Sequence, residues 1–278
     1  MQFVQAFAGY TGADVAASDD LTGMGGDWLL EVRAGEVTTA AQAVRMDEAL
    51  VASLNPWYDQ KWSVMADFAK DTYAGSTITA YQHDWSPLNM TLNHYDAATG
   101  RFDMVNAQAL VACCGDTAVI SFRGTDETLD WANNFLTMWP QNLLLSSLTS
   151  AFDTYVAANG IKNVYVTGHS LGGALAQSYM MRHQDTANVS YQAVTFASPG
   201  FNESIAQGVM PDYVAAYLNH DDRVLQFEIE SDVVPDLLAK IGNVIQLDTQ
   251  TSPGPLDSHS MDYYRDVVRS LDDEILTE

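Results

Sequence analysis

A serine framed by glycines stands in Gly168-His169-Ser170-Leu171-Gly172, after the β-branched and aromatic run Asn163 to Thr167 and before an Ala- and Leu-rich helical pattern. The pentapeptide alone is a weak signal, because glycines flank many serines. Its setting is stronger. A strand that turns sharply into a helix exposes the serine at the turn, and glycines on either side let backbones approach without a clashing Cβ. The N–H of Leu171, first in the helix, then points at any oxyanion forming beside Ser170. A glycine-rich turn with a helix-capping serine is the competing reading.

A serine hydroxyl is inert at neutral pH without a base, and the base needs an acid to orient it. On a parallel sheet these partners arrive on loops after later strands, which restricts the search to residues beyond Ser170. Three of the six histidines qualify, His183, His220 and His259. His183 ends the helix that starts at the serine and points away. His259 lies in Asp257-Ser258-His259-Ser260, just before the last helical pattern, where a loop can reach across a sheet edge. For the acid, Asp232 follows an apolar strand and precedes Val233-Val234-Pro235, while Asp221, Asp222 and Asp236 compete with it. A fourth part is the apolar strand ending in Ser121-Phe122-Arg123-Gly124-Thr125, whose turn offers Thr125 as a second oxyanion donor. Arg123 reads as structural, paired with a carboxylate beneath the site.

The elements that must position these residues follow from periodicity. Ala43, Met46, Ala49, Leu50 and Leu54, then Trp62, Met65, Phe68 and Ala69 after Pro56, recur at helical spacing. Residues 76–83 read as a strand or extended loop. Phe102 to Ala112 reads as one strand, with Ala118 to Phe122 its antiparallel partner across a turn at Gly115. Further strands are expected at Ser190–Phe196, Arg223–Ile229 and Asn243–Leu247, with a helix from Ser170 to about His183 and a closing helix from about Ser258 to Leu271. Strands alternating with helices after residue 118 imply a mostly parallel sheet with helices on both faces. With no repeat and no low-complexity linker, the expectation is a single domain over 1–278, its first 70 residues a helical and loop segment packed on a core from 71 to 278.

Composition bounds the partners. Among 278 residues, 12 are basic and 36 acidic, a net charge of −24, which disfavours nucleic acid and anionic membrane surfaces. A hydrophobic content of 47% supports a substantial core. The two cysteines, Cys113 and Cys114, are adjacent and cannot staple distant segments, so they read as free thiols. No stretch reaches the length of a transmembrane helix, and the N-terminus lacks the basic region of a signal peptide. The expected location is cytoplasmic, or outside the cell by a route without a cleaved signal.

Taken together and in order, Phe122-Arg123-Gly124-Thr125, Trp131, Val166 to Ala176, Thr195-Phe196-Ala197-Ser198-Pro199 and Ser231-Asp232-Val233-Val234-Pro235 resemble the class 3 lipase family, the fungal-lipase-like α/β-hydrolases. The match covers roughly residues 70 to 270. The resemblance implies an α/β-hydrolase fold and a serine esterase or lipase acting on acylglycerols, with a phospholipase A1 or a small-ester carboxylesterase as the alternatives. It implies Ser170 as nucleophile, Asp232 as acid, His259 as base, and Thr125 with Leu171 as the oxyanion hole. No metal or organic cofactor is called for. Gly200 departs from the pattern, standing where many members carry Arg. A binding module that kept the pocket without catalysis is the reading from another class, and the full set of site positions stands against it. Trp131, Phe135, Trp139 and Leu144, in the apolar stretch between the oxyanion strand and the elbow, suit an acyl chain, a lid over the site, or plain core.

Overall fold

A computed structural model of the chain describes residues 15–17, 32–34, 61–73, 78, 80, 84–105, 107–124, 138–201, 221–235, 237–247 and 254–277. Two compact units result, Met1–Pro56 with Asp273–Glu278, and Trp57–Asp272. In the first unit the described residues are two short strands, β1 (Val15–Ala17) and β2 (Val32–Ala34), paired antiparallel, and residues 273–277, the end of the last helix.

The second unit is built on one mixed sheet. After helix α1 (Lys61–Asp71) come β3 (Ser86–Pro87), β4 (Tyr95–Asp96), β5 (Arg101–Met104), β6 (Ala107–Cys114) and β7 (Thr117–Phe122). Helix α2 (Met138–Ala158) leads to β8 (Asn163–His169), α3 (Leu171–Met180) and β9 (Ser190–Phe196). Then follow β10 (Val224–Ile229), β11 (Asn243–Leu247), the short α4 (Pro255–Ser258) and α5 (Met261–Thr277). In space the strands run β11-β10-β9-β8-β7-β6-β5-β4, with β3 against β6. The five from β7 to β11 are parallel and the others antiparallel. All five parallel strands therefore deliver their carboxyl ends to one edge, where loops can gather side chains from distant parts of the chain.

Side-chain alternation divides the core in two. Val164 and Val166 of β8, with Ile120 and Phe122 of β7, face α2 and α3, where Leu145, Leu148, Phe152, Leu175 and Tyr179 are buried. Tyr165, Val194, Phe196 and Phe227 face the other way, onto Met65 and Phe68 of α1 and Tyr264 and Val268 of α5. Both faces of the central strands are covered, which is why these strands read as continuous apolar runs.

Two details differ from the expectation. The run from Phe102 to Ala112 is a hairpin, with β5 and β6 paired through Met104 and Ala107. Val105 turns it at φ 56°, 78% exposed. A two-residue hairpin loop needs positive φ, and a valine gives no sequence signal for it. The closing helix starts at Met261 rather than near Ser258, because α4 ends there and His259 occupies the break between the two helices. Helix α1 carries Trp62, Met65, Phe68 and Ala69 of the expected helical pattern; its earlier part, Ala43 to Leu54, lies outside the described residues. Cys113 and Cys114 are half-buried, and Cys113 Sγ lies 3.8 Å from the Tyr155 hydroxyl.

Candidate active site

Ser170 sits between β8 and α3 at φ 56°, ψ −128°, a backbone region that only glycine adopts without cost. Surrounding contacts hold it there. The Ser170 N–H donates to the Phe196 carbonyl, and the Ser170 carbonyl accepts from Gly173 and Ala174 at the start of α3. The elbow is tight enough to require its glycines. A Cβ on Gly172 would lie 2.1 Å from the Phe122 carbonyl oxygen, and one on Gly168 would lie 2.4 Å from the Gly172 backbone. The turn at Ser170 is thus wedged against the end of β7. Leu171 presents its N–H as the first of α3, where no intrahelical acceptor exists.

Around this serine the loops after β10 and α4 bring two more residues. His259 Nε2 lies 2.9 Å from Ser170 Oγ, and His259 Nδ1 lies 2.9 Å from Asp232 Oδ2. All three are at least nine-tenths buried. Asp232 is held on every side. Its Oδ1 accepts the Val234 N–H at 3.0 Å, and its Oδ2 also accepts the Tyr264 hydroxyl at 3.0 Å. The Tyr264 oxygen in turn accepts the Ile229 N–H at 2.9 Å, so one phenol ties the end of β10 to the acid. Burial and the neighbouring Asp232 hold the Tyr264 phenol well above its ordinary pKa, which keeps it a donor. The loop carrying Asp232 and the one carrying His259 are also joined directly, Ser231 Oγ to Ser258 Oγ.

With Asp232 accepting at Nδ1, neutral His259 presents a bare Nε2 lone pair to Ser170 Oγ. The row can pass a proton from serine to imidazole while the carboxylate stabilises the cation. Among the described residues no group of three His, Cys, Asp or Glu side chains could hold a metal ion.

The competing sequence candidates are placed elsewhere. His183, three residues beyond α3, stacks on Tyr179 with ring centroids 3.8 Å apart and sets Nε2 3.1 Å from Asp153. Asp221, before β10 and therefore at the opposite edge of the sheet, forms a two-oxygen pair with Arg223. Asp222 is exposed and accepts from Asn243. Arg123 lays its guanidinium over the Tyr73 ring, 5.4 Å from the centroid. Leu144, on α2, is partly buried against the core that holds Leu145 and Phe152. Trp139 falls in the first turn of α2, and Thr125, Trp131, Phe135, His220 and Asp236 lie outside the described residues. Sequence reasoning passed over Tyr264 and Tyr73; Tyr264 sits one helical turn into α5, a spacing from His259 that could have drawn notice.

A family model described as the Tle-like phospholipase domain matches residues 64–249. A second, described as Domain of unknown function (DUF4347), matches residues 1–52. No curated protein matches the sequence. Among solved structures, a variant of MDLA from Penicillium cyclopium is similar at 16% identity, covering 75% of this chain and 84% of that one, with a TM-score of 0.49. The lipase of Rhizopus microsporus var. chinensis is similar at 17% identity, 75% and 78% coverage and a TM-score of 0.47. Lipase II of Rhizopus niveus stands at 18% identity, 70% and 82% coverage and a TM-score of 0.48.

Proposed function

The chain belongs to the Tle-like phospholipase family, and from that premise we propose that Ser170, His259 and Asp232 are the catalytic triad of a lipid-ester hydrolase. It is a carboxylic ester hydrolase of the lipase class with an α/β-hydrolase fold. The observation that carries the triad is the continuous row from Ser170 Oγ through both nitrogens of His259 to Asp232, set on a strained elbow. Strain of this kind persists where the surrounding structure over-determines it, and it is a feature of nucleophile turns.

In the proposed reaction Ser170 Oγ attacks the ester carbonyl as His259 Nε2 takes its proton. Asp232, oriented by Tyr264 and the Val234 N–H, stabilises the imidazolium. The Leu171 N–H and Thr125 hold the oxyanion of the tetrahedral intermediate. His259 protonates the departing alcohol, leaving an acyl-serine. Water then attacks that ester with His259 again as base, which releases the fatty acid and restores Ser170. Every bond broken or formed is accounted for by these residues and water.

The family favours the acyl ester of a glycerophospholipid over the acylglycerol that the sequence motifs alone suggest. A net charge of −24 favours neutral or zwitterionic lipid over anionic surfaces. No described helix is long and apolar enough to cross a membrane. The test is fatty-acid release from phosphatidylcholine vesicles, phosphatidylglycerol vesicles and a triacylglycerol emulsion, with Ser170→Ala as control. Release from phosphatidylcholine that exceeds the other two and vanishes in the variant is the expected result. Turnover of the emulsion alone would return the substrate to acylglycerol, and an active Ser170→Ala protein would remove the triad assignment.

A further inference from the structure

Beneath the triad lies a second buried histidine that the mechanism does not use. His169 is the last residue of β8, immediately before the nucleophile, and strand alternation sends its side chain to the α1 and α5 face with Tyr165 and Thr167. Its ring lies 4.8 Å from that of His259, tilted by 38°. His169 Nε2 is 2.8 Å from the backbone carbonyl of His259. A carbonyl only accepts, so Nε2 carries the proton and Nδ1 of the neutral ring is an acceptor. Tyr73 supplies the donor, its hydroxyl 3.1 Å from Nδ1. The Tyr73 oxygen accepts the Gly124 N–H at 3.0 Å. Gly124 is the residue before Thr125.

We propose that His169 and Tyr73 are positioning residues that tie the backbone of the catalytic histidine to the start of the oxyanion turn, so that base and oxyanion donor keep one relative placement. The inference rests on the triad reading above. The tie joins four distant stretches of chain: the segment after α1, the turn after β7, the end of β8 and the loop before α5; the Tyr73 hydroxyl also lies 3.4 Å from the His169 carbonyl oxygen. The fit around Gly124 is close. A Cβ there would lie 2.2 Å from the Tyr73 oxygen and 2.6 Å from the His169 carbonyl oxygen. No side chain can separate the turn from its anchor.

The neutral state of His169 also matters to the chemistry. When His259 becomes an imidazolium, a second cation 4.8 Å away would oppose it. Burial first, and the nearby His259 second, hold the His169 pKa well below its usual value, with Lys70 acting in the same direction. His169 therefore remains a hydrogen-bond donor and not a charge while the proton moves.

The test uses the full chain with His169→Leu, His169→Gln, Tyr73→Phe and the His169→Leu/Tyr73→Phe double variant. Readouts are kcat and KM on a dissolved p-nitrophenyl ester, the rate of fluorophosphonate labelling, and Tm. His169→Leu is expected to lower kcat about a hundredfold with KM little changed, the scale of a misplaced catalytic group. Tyr73→Phe, which deletes one oxygen, is expected to cost roughly tenfold. His169→Gln keeps an N–H near the Nε2 position and is expected to recover most of the loss. The double variant should lose no more than His169→Leu alone, because the two residues act in series. Rates within about threefold of wild type in folded Tyr73→Phe and His169→Leu proteins would overturn the proposal, as would additive losses that merely follow Tm or no recovery with Gln. If His169→Leu does not fold, Tyr73→Phe and His169→Gln decide the matter. Labelling keeps this separate from the triad reading: a wild type that takes no label sinks both, whereas variants that label as fast as wild type sink only the tie.

Discussion

Replacing Asp232 by asparagine changes one oxygen to an amide nitrogen at a point where three donors converge. Oδ2 accepts from His259 Nδ1 at 2.9 Å and from the Tyr264 hydroxyl at 3.0 Å, and Oδ1 accepts from the Val234 N–H at 3.0 Å. The amide can be placed two ways. With its oxygen toward Val234, its NH₂ faces His259, which must turn its proton to Nε2 and can no longer accept one from Ser170. With its oxygen toward His259, the NH₂ meets the Val234 N–H, and a buried backbone donor is left unpaired at a cost of about 1–3 kcal/mol. Both placements also remove the negative charge that stabilises the imidazolium. The loss expected in kcat is about 10⁴, the scale known for such acids, or about 5.5 kcal/mol of barrier. The assay is kcat on a dissolved short-chain p-nitrophenyl ester, with far-UV circular dichroism to verify the fold. Asp222→Asn, exposed at the other end of β10, should stay within about tenfold. A folded Asp232→Asn enzyme retaining more than a tenth of wild-type kcat would refute the reasoning, and a severe Asp222→Asn would move the acid one loop earlier.

Three further outcomes follow from the same geometry. Ser170→Gly should abolish hydrolysis yet raise stability by about 1 kcal/mol in urea unfolding, because it relieves the positive φ of the elbow; a less stable variant would mean the turn is not strained. Tyr264→Phe removes both the donor to Asp232 and the acceptor for the Ile229 N–H. It should cost about 1–3 kcal/mol of stability and roughly tenfold in kcat, and a neutral result in both would deny Tyr264 its place in the site. Acid should weaken the fold through His169, whose pKa burial holds well below the ordinary imidazole value of about 6.5. As pH falls below about 6.5 the unfolded chain binds the proton first, so stability drops by up to about 1.4 kcal/mol per pH unit. The contribution is fully present above that pH, and the difference between wild type and His169→Gln in unfolding free energy against pH should isolate it.

Much of this arrangement is legible in the residues. The parallel strands β8 to β11 are short apolar or β-branched segments between turn signals, and their order alone implies a covered parallel sheet. The elbow is legible because its glycines have no substitute where a Cβ would meet the backbone. Gly200, the departure from the lipase pattern, has a local reason of the same kind: φ +82°, with a Cβ position 2.1 Å from the Ala239 carbonyl oxygen. Less legible was the hairpin at Val105, since a β-branched residue at positive φ runs against local preference and is held by the pairing of β5 with β6.

The sequence by itself determined which groups are available and on which edge of the sheet they gather, because residue type sets the chemistry and a parallel sheet sends every loop after a strand to one side. It nominated Ser170, Asp232, His259, Thr125 and Leu171 on those grounds. Only the tertiary structure decided what lies within hydrogen-bonding distance of what. Tyr264 reaches Asp232 from 32 positions away, and His169 reaches the backbone of His259 from 90. No periodicity records such contacts, because they depend on where α1 and α5 pack across the sheet. That packing is fixed by the summed burial of Phe68, Val194, Phe227 and their neighbours rather than by any one residue.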